Sequence, residues 1–245
     1  MGRLFTIVFL LGASLWAAAQ DSLPVRKKIS ARKQNKLAAK KQINQLSGGA
    51  LLVILKTQKP KIAALKKAKY FKLAEQTEKE QRAFNKEAVA AFKEEFYFCP
   101  VYFFMSDYGP AVYDKNFGSV VFVNDSLLPD SSIKFSGGDF FMAEFGTIEQ
   151  DTIKHASGTY YAPNKAGSLE KRLTYYGGAD FKFGALLIKS DLFIQLRRPF
   201  PYYSRTFDLL PVYWPLSKVV KKMNEKLVTF YFKNTKRKAA DKLYP

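Results

Sequence analysis

The stretch Cys99-Pro100-Val101-Tyr102-Phe103-Phe104-Met105-Ser106 constrains the fold more than any other part of this chain. It is almost wholly apolar, rich in aromatic and β-branched residues, and closed by Ser106-Asp107-Tyr108-Gly109-Pro110. So short a run without polar alternation predicts a strand covered on both faces. A long segment of helical composition precedes it. Before that comes a second apolar run, Gly49 to Lys56 (GALLVILK). Strand, helix, strand is the βαβ unit, whose usual setting is a buried parallel sheet, so the expected class is α/β.

The connecting segment, Lys61 to about Phe96, has no Gly or Pro. Ile62 and Leu65 give it an apolar face at its start, and Phe84, Ala88, Ala91 and Phe92 give it one at its end. Between them, Glu75 to Arg82 is polar throughout. One long crossover helix is expected. The alternative is a second helix opened by a capping box at Thr77 and Glu80. Further on, Ser119–Asn124 and Asp139–Gly146 read as strands. Period two places Phe140, Met142 and Glu144 on one side of the latter, and Phe141, Ala143 and Phe145 on the other. Thr147 to Asp180 carries few aliphatic residues and reads as irregular. Phe183–Lys189 and Leu192–Leu196 flank Ser190-Asp191 as a late hairpin, and Leu216–Lys233 is an amphipathic C-terminal helix. The expected architecture is thus a mixed sheet with a βαβ start, occupying residues 49–233 as a single domain. A basic flexible arm, able to form a helix in its second half, is expected over 20–48 and a basic fraying tail over 234–245.

The first nineteen residues read as an address. Arg3 is followed by the apolar run Leu4–Leu11, then by Ala17-Ala18-Ala19 and a switch to polar residues at Gln20. That pattern predicts a secretory signal peptide cleaved after Ala19, the alternative being an uncleaved anchor. No later segment approaches the roughly 20 apolar residues of a membrane helix, so the mature chain is expected without a transmembrane segment, in a periplasm or secreted. Cys99 is the sole cysteine, which excludes an intramolecular disulfide and predicts a small buried hydrophobe.

The formal net charge is +19, mostly from lysine. Lysine is a hydrated point charge, less suited than arginine to planar bidentate readout. With export, this argues against nucleic acid and towards an acidic envelope component or an anionic polysaccharide, unless the charge serves solubility alone.

Catalytic signatures are scarce. His155 is the only histidine, so His-based metal sites and most triads are excluded. The paired glycines Gly48-Gly49, Gly137-Gly138 and Gly177-Gly178 lack the strand-to-helix context of a phosphate loop, so no cofactor and no metal is expected. Asp139, Glu144, Glu149 and Asp151 gather near one strand, and two carboxylates about 5–9 Å apart can hydrolyse a glycosidic bond. Glu144, sharing its face with Met142 and Phe140, is the single candidate acid or base; the alternative is a strand-end charge paired with a lysine. Tyr160, Tyr161, Tyr175, Tyr176, Tyr202, Tyr203 and Trp214 lie beside Arg172, Arg197, Arg198 and Arg205 in segments read as irregular. Tyrosine and arginine are stiff and amphipathic, the composition of a recognition surface; the alternative is that these tyrosines cap the core.

The ordered set LLVILKT, CPVYFF, AEFG and QLRRPFPYYSRT resembles a group of exported bacterial α/β proteins with no assigned activity. The order strand, helix, strand, late hairpin and terminal helix is similar to the thioredoxin fold, but there is no C-x-x-C, so that family's dithiol chemistry is not implied. The leading expectation is an exported soluble binding protein whose Tyr/Arg face contains Tyr175, Tyr176, Arg197, Arg198, Tyr202 and Tyr203. The alternative is an envelope polysaccharide hydrolase using Glu144 and a second carboxylate.

Overall fold

The computed structural model describes residues 30–148, 155–163, 169–176, 183–209 and 212–243. Contacts divide the chain into Met1–Gln34 and Asn35–Pro245, with the boundary inside the first helix, α1 (Ala31–Gly48). Ala39, Ile43 and Leu46 are buried, at spacings of four and three that form one helical stripe. The arm expected over 20–48 is helical from Ala31 to Gly48. Its second half is a core helix whose exposed basic residues hide a three-residue seam.

Strand β1 (Ala50–Leu55) is buried at all six positions because it is flanked on both sides. It pairs in parallel with β2 (Val101–Met105), Leu51 opposite Val101, and in parallel with β3 (Phe140–Thr147), Leu51 opposite Phe141. Two antiparallel strands, β6 (Gly184–Lys189) and β7 (Tyr203–Arg205), complete the sheet in the order β2-β1-β3-β6-β7. The sheet is mixed and the class is α/β, as the sequence implies. The strand expected to be fully covered, β2, is instead at the edge. Phe103 and Phe104 are buried, but Val101, Tyr102 and Met105 are only half-buried. The segment expected as a strand over Ser119–Asn124 meets that edge by one bridge, Phe104 to Phe122, while a second, Val123 to Pro129, joins it to the loop that follows.

Alternation along the strands splits the core in two. Leu51, Val53, Leu55, Phe103, Phe141 and Ala143 meet α1 and two other helices on one face. Leu52, Ile54, Phe104, Phe140 and Met142 pack on Val112 of a short helix, α4 (Gly109–Tyr113), and on Val120 and Phe122 on the other. The two sides expected for β3 are the two observed.

The crossover is two helices, not one. α2 (Lys59–Lys67) and α3 (Phe71–Glu95) are separated at Lys69, whose φ is 64°. The Tyr70 N–H donates to Leu65 C=O and the Lys69 N–H to Lys66 C=O, the Schellman arrangement with lysine where glycine is usual. The alternative break at Thr77 does not occur: Thr77 is buried inside α3 and its hydroxyl donates to Leu73 C=O. Thr77, Gln81 and Asn85 prolong the inward stripe of Ala88, Val89 and Phe92 as a polar one, beginning where α3 passes the end of β1.

The stretch read as irregular over Thr147–Asp180 contains an antiparallel pair, β4 (His155–Pro163) with β5 (Leu169–Tyr176), bulged between Ala156 and Gly158. The late hairpin is reduced to one bridge, Lys189 to Gln195; the strands that flank β6 are β3 and β7. The final helix, α5 (Leu216–Leu243), buries Val219, Val220, Met223 and Leu227, and continues beyond the expected end at Lys233. Among the described residues no helix is long and apolar enough to cross a membrane.

Candidate functional site

Strand β7 is short and lies at the open edge of the sheet, with Tyr203 opposite Leu187 and Arg205 opposite Ala185. Alternation sends Ser204 into the core and leaves Tyr203 and Arg205 on the other side. Arg198 Nη2 donates to Tyr203 Oη at 3.3 Å, and the Tyr202 and Tyr203 rings lie 4.9 Å apart. From α5, Lys226 Nζ donates to the Tyr203 carbonyl at 2.8 Å and stands 5.2 Å from the Tyr203 ring centre. Arg205 stacks over Phe183 at 4.2 Å.

A second cluster adjoins along α5. Strands β8 (Asp208–Leu209) and β9 (Val212–Tyr213) turn the chain back, so that the Trp214 N–H donates to Phe207 C=O at 3.0 Å and the two rings lie 4.3 Å apart. Lys218 and Lys222 hold their amines 4.2 and 4.0 Å from the Trp214 ring centre. Lys218, Lys222 and Lys226 recur every four residues, which keeps them on one side of the helix over about two turns, and Trp214 stands just before its first residue. Cation–π contacts of this kind contribute about 0.5–1 kcal/mol each at exposed sites, enough to orient the amines without neutralising them.

Charge is what distinguishes this face. Among the described residues, Arg198, Arg205, Lys218, Lys222 and Lys226 form no ion pair with a carboxylate. The titrating groups register the crowding. The hydrogen bond from Arg198 lowers the Tyr203 phenol below its ordinary value; partial burial opposes the shift, and the charges of Arg198, Arg205 and Lys226 reinforce it. Partial burial of the Lys226 amine lowers it too, opposed by Tyr203 and reinforced by Lys222, Arg205 and Arg198. A lysine whose charged form is disfavoured first by burial and further by neighbouring cations is one that a bound anion would relieve.

Of the residues expected on the recognition surface, Arg198, Tyr202 and Tyr203 converge. Arg197 and Arg198 both border a recess of about 270 Å³ whose far wall is α1, at Asn35, Ala38 and Gln42. Tyr175 and Tyr176 belong to β5, opposite Ala156 and His155, and their side chains lie outside the described residues. Lys218, Lys222 and Lys226 were readable only as a solvated helix face; their four-residue spacing from Trp214 was the available signal.

Glu144 is placed in an ion pair. Its Oε1 is 2.8 Å from Lys189 Nζ, and the two side chains are only 17% and 13% exposed. Met142 pairs with Lys189 across the β3–β6 ladder, which brings that lysine to the strand face shared by Glu144. Asp139 accepts a hydrogen bond from Gln45 at 3.2 Å, and Glu149 and Asp151 lie outside the described residues. Cys99 is buried, and burial pushes its thiol up to about 12.

No protein-family model, no curated protein and no solved structure matches the chain.

Proposed function

We propose that this is an exported binding protein for an anionic polysaccharide, engaged by the face that Arg198, Tyr202, Tyr203, Arg205, Trp214, Lys218, Lys222 and Lys226 build. The observation that carries the reading is a set of five cations without carboxylate partners among the described residues, three of them spaced four apart on one helix, all packed among aromatic rings. An extended acidic polymer satisfies such a row at several points. Aromatic planes supply stiff apolar contact between the charges, at little entropic cost. The lysine-rich composition suits flexible, non-bidentate charge recognition better than base reading. Export rests on the Arg3, Leu4–Leu11 and Ala17–Ala19 pattern, and mature chains beginning at Gln20 are the expected product. Catalysis by Glu144 fits less well, because a proton donor would first have to leave a largely buried pair with Lys189.

Titration calorimetry with polygalacturonate, and with dextran as the neutral control, tests the reading. Polygalacturonate binds with an affinity that falls as salt rises, and dextran does not bind. The double variant Arg198→Ala/Lys226→Ala loses roughly 1–4 kcal/mol of binding, the range of interface anchors, with little change in melting temperature. Equal binding of both polymers, or a double variant that folds and binds as the parent does, refutes it.

A further inference from the structure

A second, separate concavity opens at the carboxyl ends of β1 and β2. In open α/β sheets this is the end at which ligands are received, because strands stop there and the connecting segments diverge. The cleft is about 540 Å³, within the range of small-molecule sites. Lys56 and Thr57 follow β1 at its floor, α2 and α3 form its walls, and Leu127 and Leu128 stand at its mouth.

Its polar end is held rigidly. Asn85, 5% exposed, donates to Lys56 C=O at 2.9 Å and accepts from Gln81 Nε2 at 2.9 Å, while Gln81 in turn accepts from Gln58. Thr57 is fixed by donating from its backbone N–H to the Ser106 hydroxyl at 3.2 Å and from Oγ1 to Asp107 at 3.1 Å. The relay lines α3 with amides where an apolar stripe would otherwise continue. Side-chain freedom there is already spent before any ligand arrives.

The charge on the lining is one-sided. Lys59 is committed to Asp107 at 2.7 Å. Lys56, Lys66 and Arg82 form no ion pair among the described residues, and Glu78 is the one carboxylate on the lining. Lys56 meets the cleft through the carbonyl that Asn85 holds, while its amine lies beside Gly146 on the strand face of Glu144. The remaining wall is apolar: Ile62, Met105, Leu127 and Leu128, the last 53% exposed although large and aliphatic. We infer that this cleft binds a small amphipathic anion, a carboxylate or phosphate carried on an apolar body, with its head towards Lys66 and Arg82 and its body against Ile62, Met105 and Leu128. The inference does not depend on the polysaccharide reading, since the two sites share no residue.

The test uses the full mature chain and the fluorescent sulfonate 1-anilinonaphthalene-8-sulfonate, with decanoate, decyl phosphate and inorganic phosphate as competitors. Saturable fluorescence is expected, displaced by decanoate, by decyl phosphate or by both. Which of the two displaces it identifies the head group. Arg82→Glu and Leu128→Asp, both at exposed positions, each weaken probe binding by about tenfold or more. Lys218→Ala/Lys222→Ala leaves it unchanged while weakening polygalacturonate. The inference is overturned if fluorescence does not saturate, if inorganic phosphate alone displaces the probe, or if the Lys218/Lys222 variant loses the probe while Arg82→Glu keeps it. Cleft variants that fold, as judged by an unchanged melting transition, and bind the probe like the parent overturn it as well.

Discussion

Gly48 and Gly49 are adjacent, yet the structure assigns them opposite responses to the same methyl group. Gly48 is the last residue of α1, exposed, and a Cβ built on it meets nothing within 4 Å. A Cβ on Gly49 would lie 2.1 Å from the Asp139 carbonyl oxygen, 2.8 Å from its carbon and 2.8 Å from Gln45 C=O. These are backbone atoms, so no rotamer relieves the overlap. The approach to β3 must move away from β1, and the hydrogen bond from the Ala50 N–H to Asp139 C=O, 3.0 Å long, is the first to be lost. A net hydrogen bond of about 1 kcal/mol and overpacking of about 1–3 kcal/mol give about 2–4 kcal/mol of destabilisation for Gly49→Ala. Gly48→Ala gains about 0.5–1 kcal/mol from helix propensity. At about 2–4 °C per kcal/mol for a domain of this size, Gly48→Ala melts about 1–4 °C higher and Gly49→Ala about 4–16 °C lower. Thermal unfolding followed by circular dichroism, with urea titration as the second measure, reads both. Equal shifts of the two variants, or a Gly49→Ala melting point within a degree or two of the parent, would refute the close approach of the α1–β1 junction to β3.

Lys69 holds a left-handed conformation at the end of α2, so Lys69→Gly raises stability by about 1 kcal/mol, and Lys69→Val lowers it; urea midpoints with unchanged m-values check both. Ser204 Oγ is buried and has no hydrogen-bond partner among the described residues, so Ser204→Ala raises the melting temperature, and a fall would mean the hydroxyl is satisfied. Cys99 reacts with thiol reagents far more slowly in the native state than in urea, since little thiolate forms when the thiol sits at about 12. Its proton is held more tightly folded than unfolded, so the contribution is fully present below the unfolded value near 9.0 and is lost as pH rises from there towards about 12. The difference in urea stability between the parent and Cys99→Val therefore shrinks over that window.

Local chemistry made some of this structure legible and non-local pairing concealed the rest. β1 and β3 announced themselves by apolar runs, and β3 by the alternation that places Phe140 and Met142 opposite Phe141 and Ala143. That β2 is an edge strand was hidden, because it depends on β3 taking the other flank of β1. The break in the crossover was hidden because lysine, not glycine, adopts the positive φ. In α1 only Ala39, Ile43 and Leu46 are buried, too few to stand out among lysines. The convergence of Arg198 with Tyr203 followed from composition and proximity in the chain, whereas the polar stretch Glu75–Arg82 signalled the cleft only once α3 was seen passing the end of β1. Tertiary context decided each of these against local signal.

The position of β1 sets an order of events during synthesis. Among the described residues it is the first strand to be made, yet Leu51 finds its partners only at Val101 and Phe141. Until both have been made, six consecutive apolar residues, Ala50–Leu55, carry unpaired amides and carbonyls on two edges. Such a segment, uncharged and rich in β-forming residues, is one that stacks with copies of itself. Long-range pairing is also slow to form, since the loop must close before any contact repays it. A nascent chain that stops short of β3 therefore exposes its most aggregation-prone segment, which makes chaperone protection of the growing chain most valuable between the emergence of Leu55 and that of Ala143.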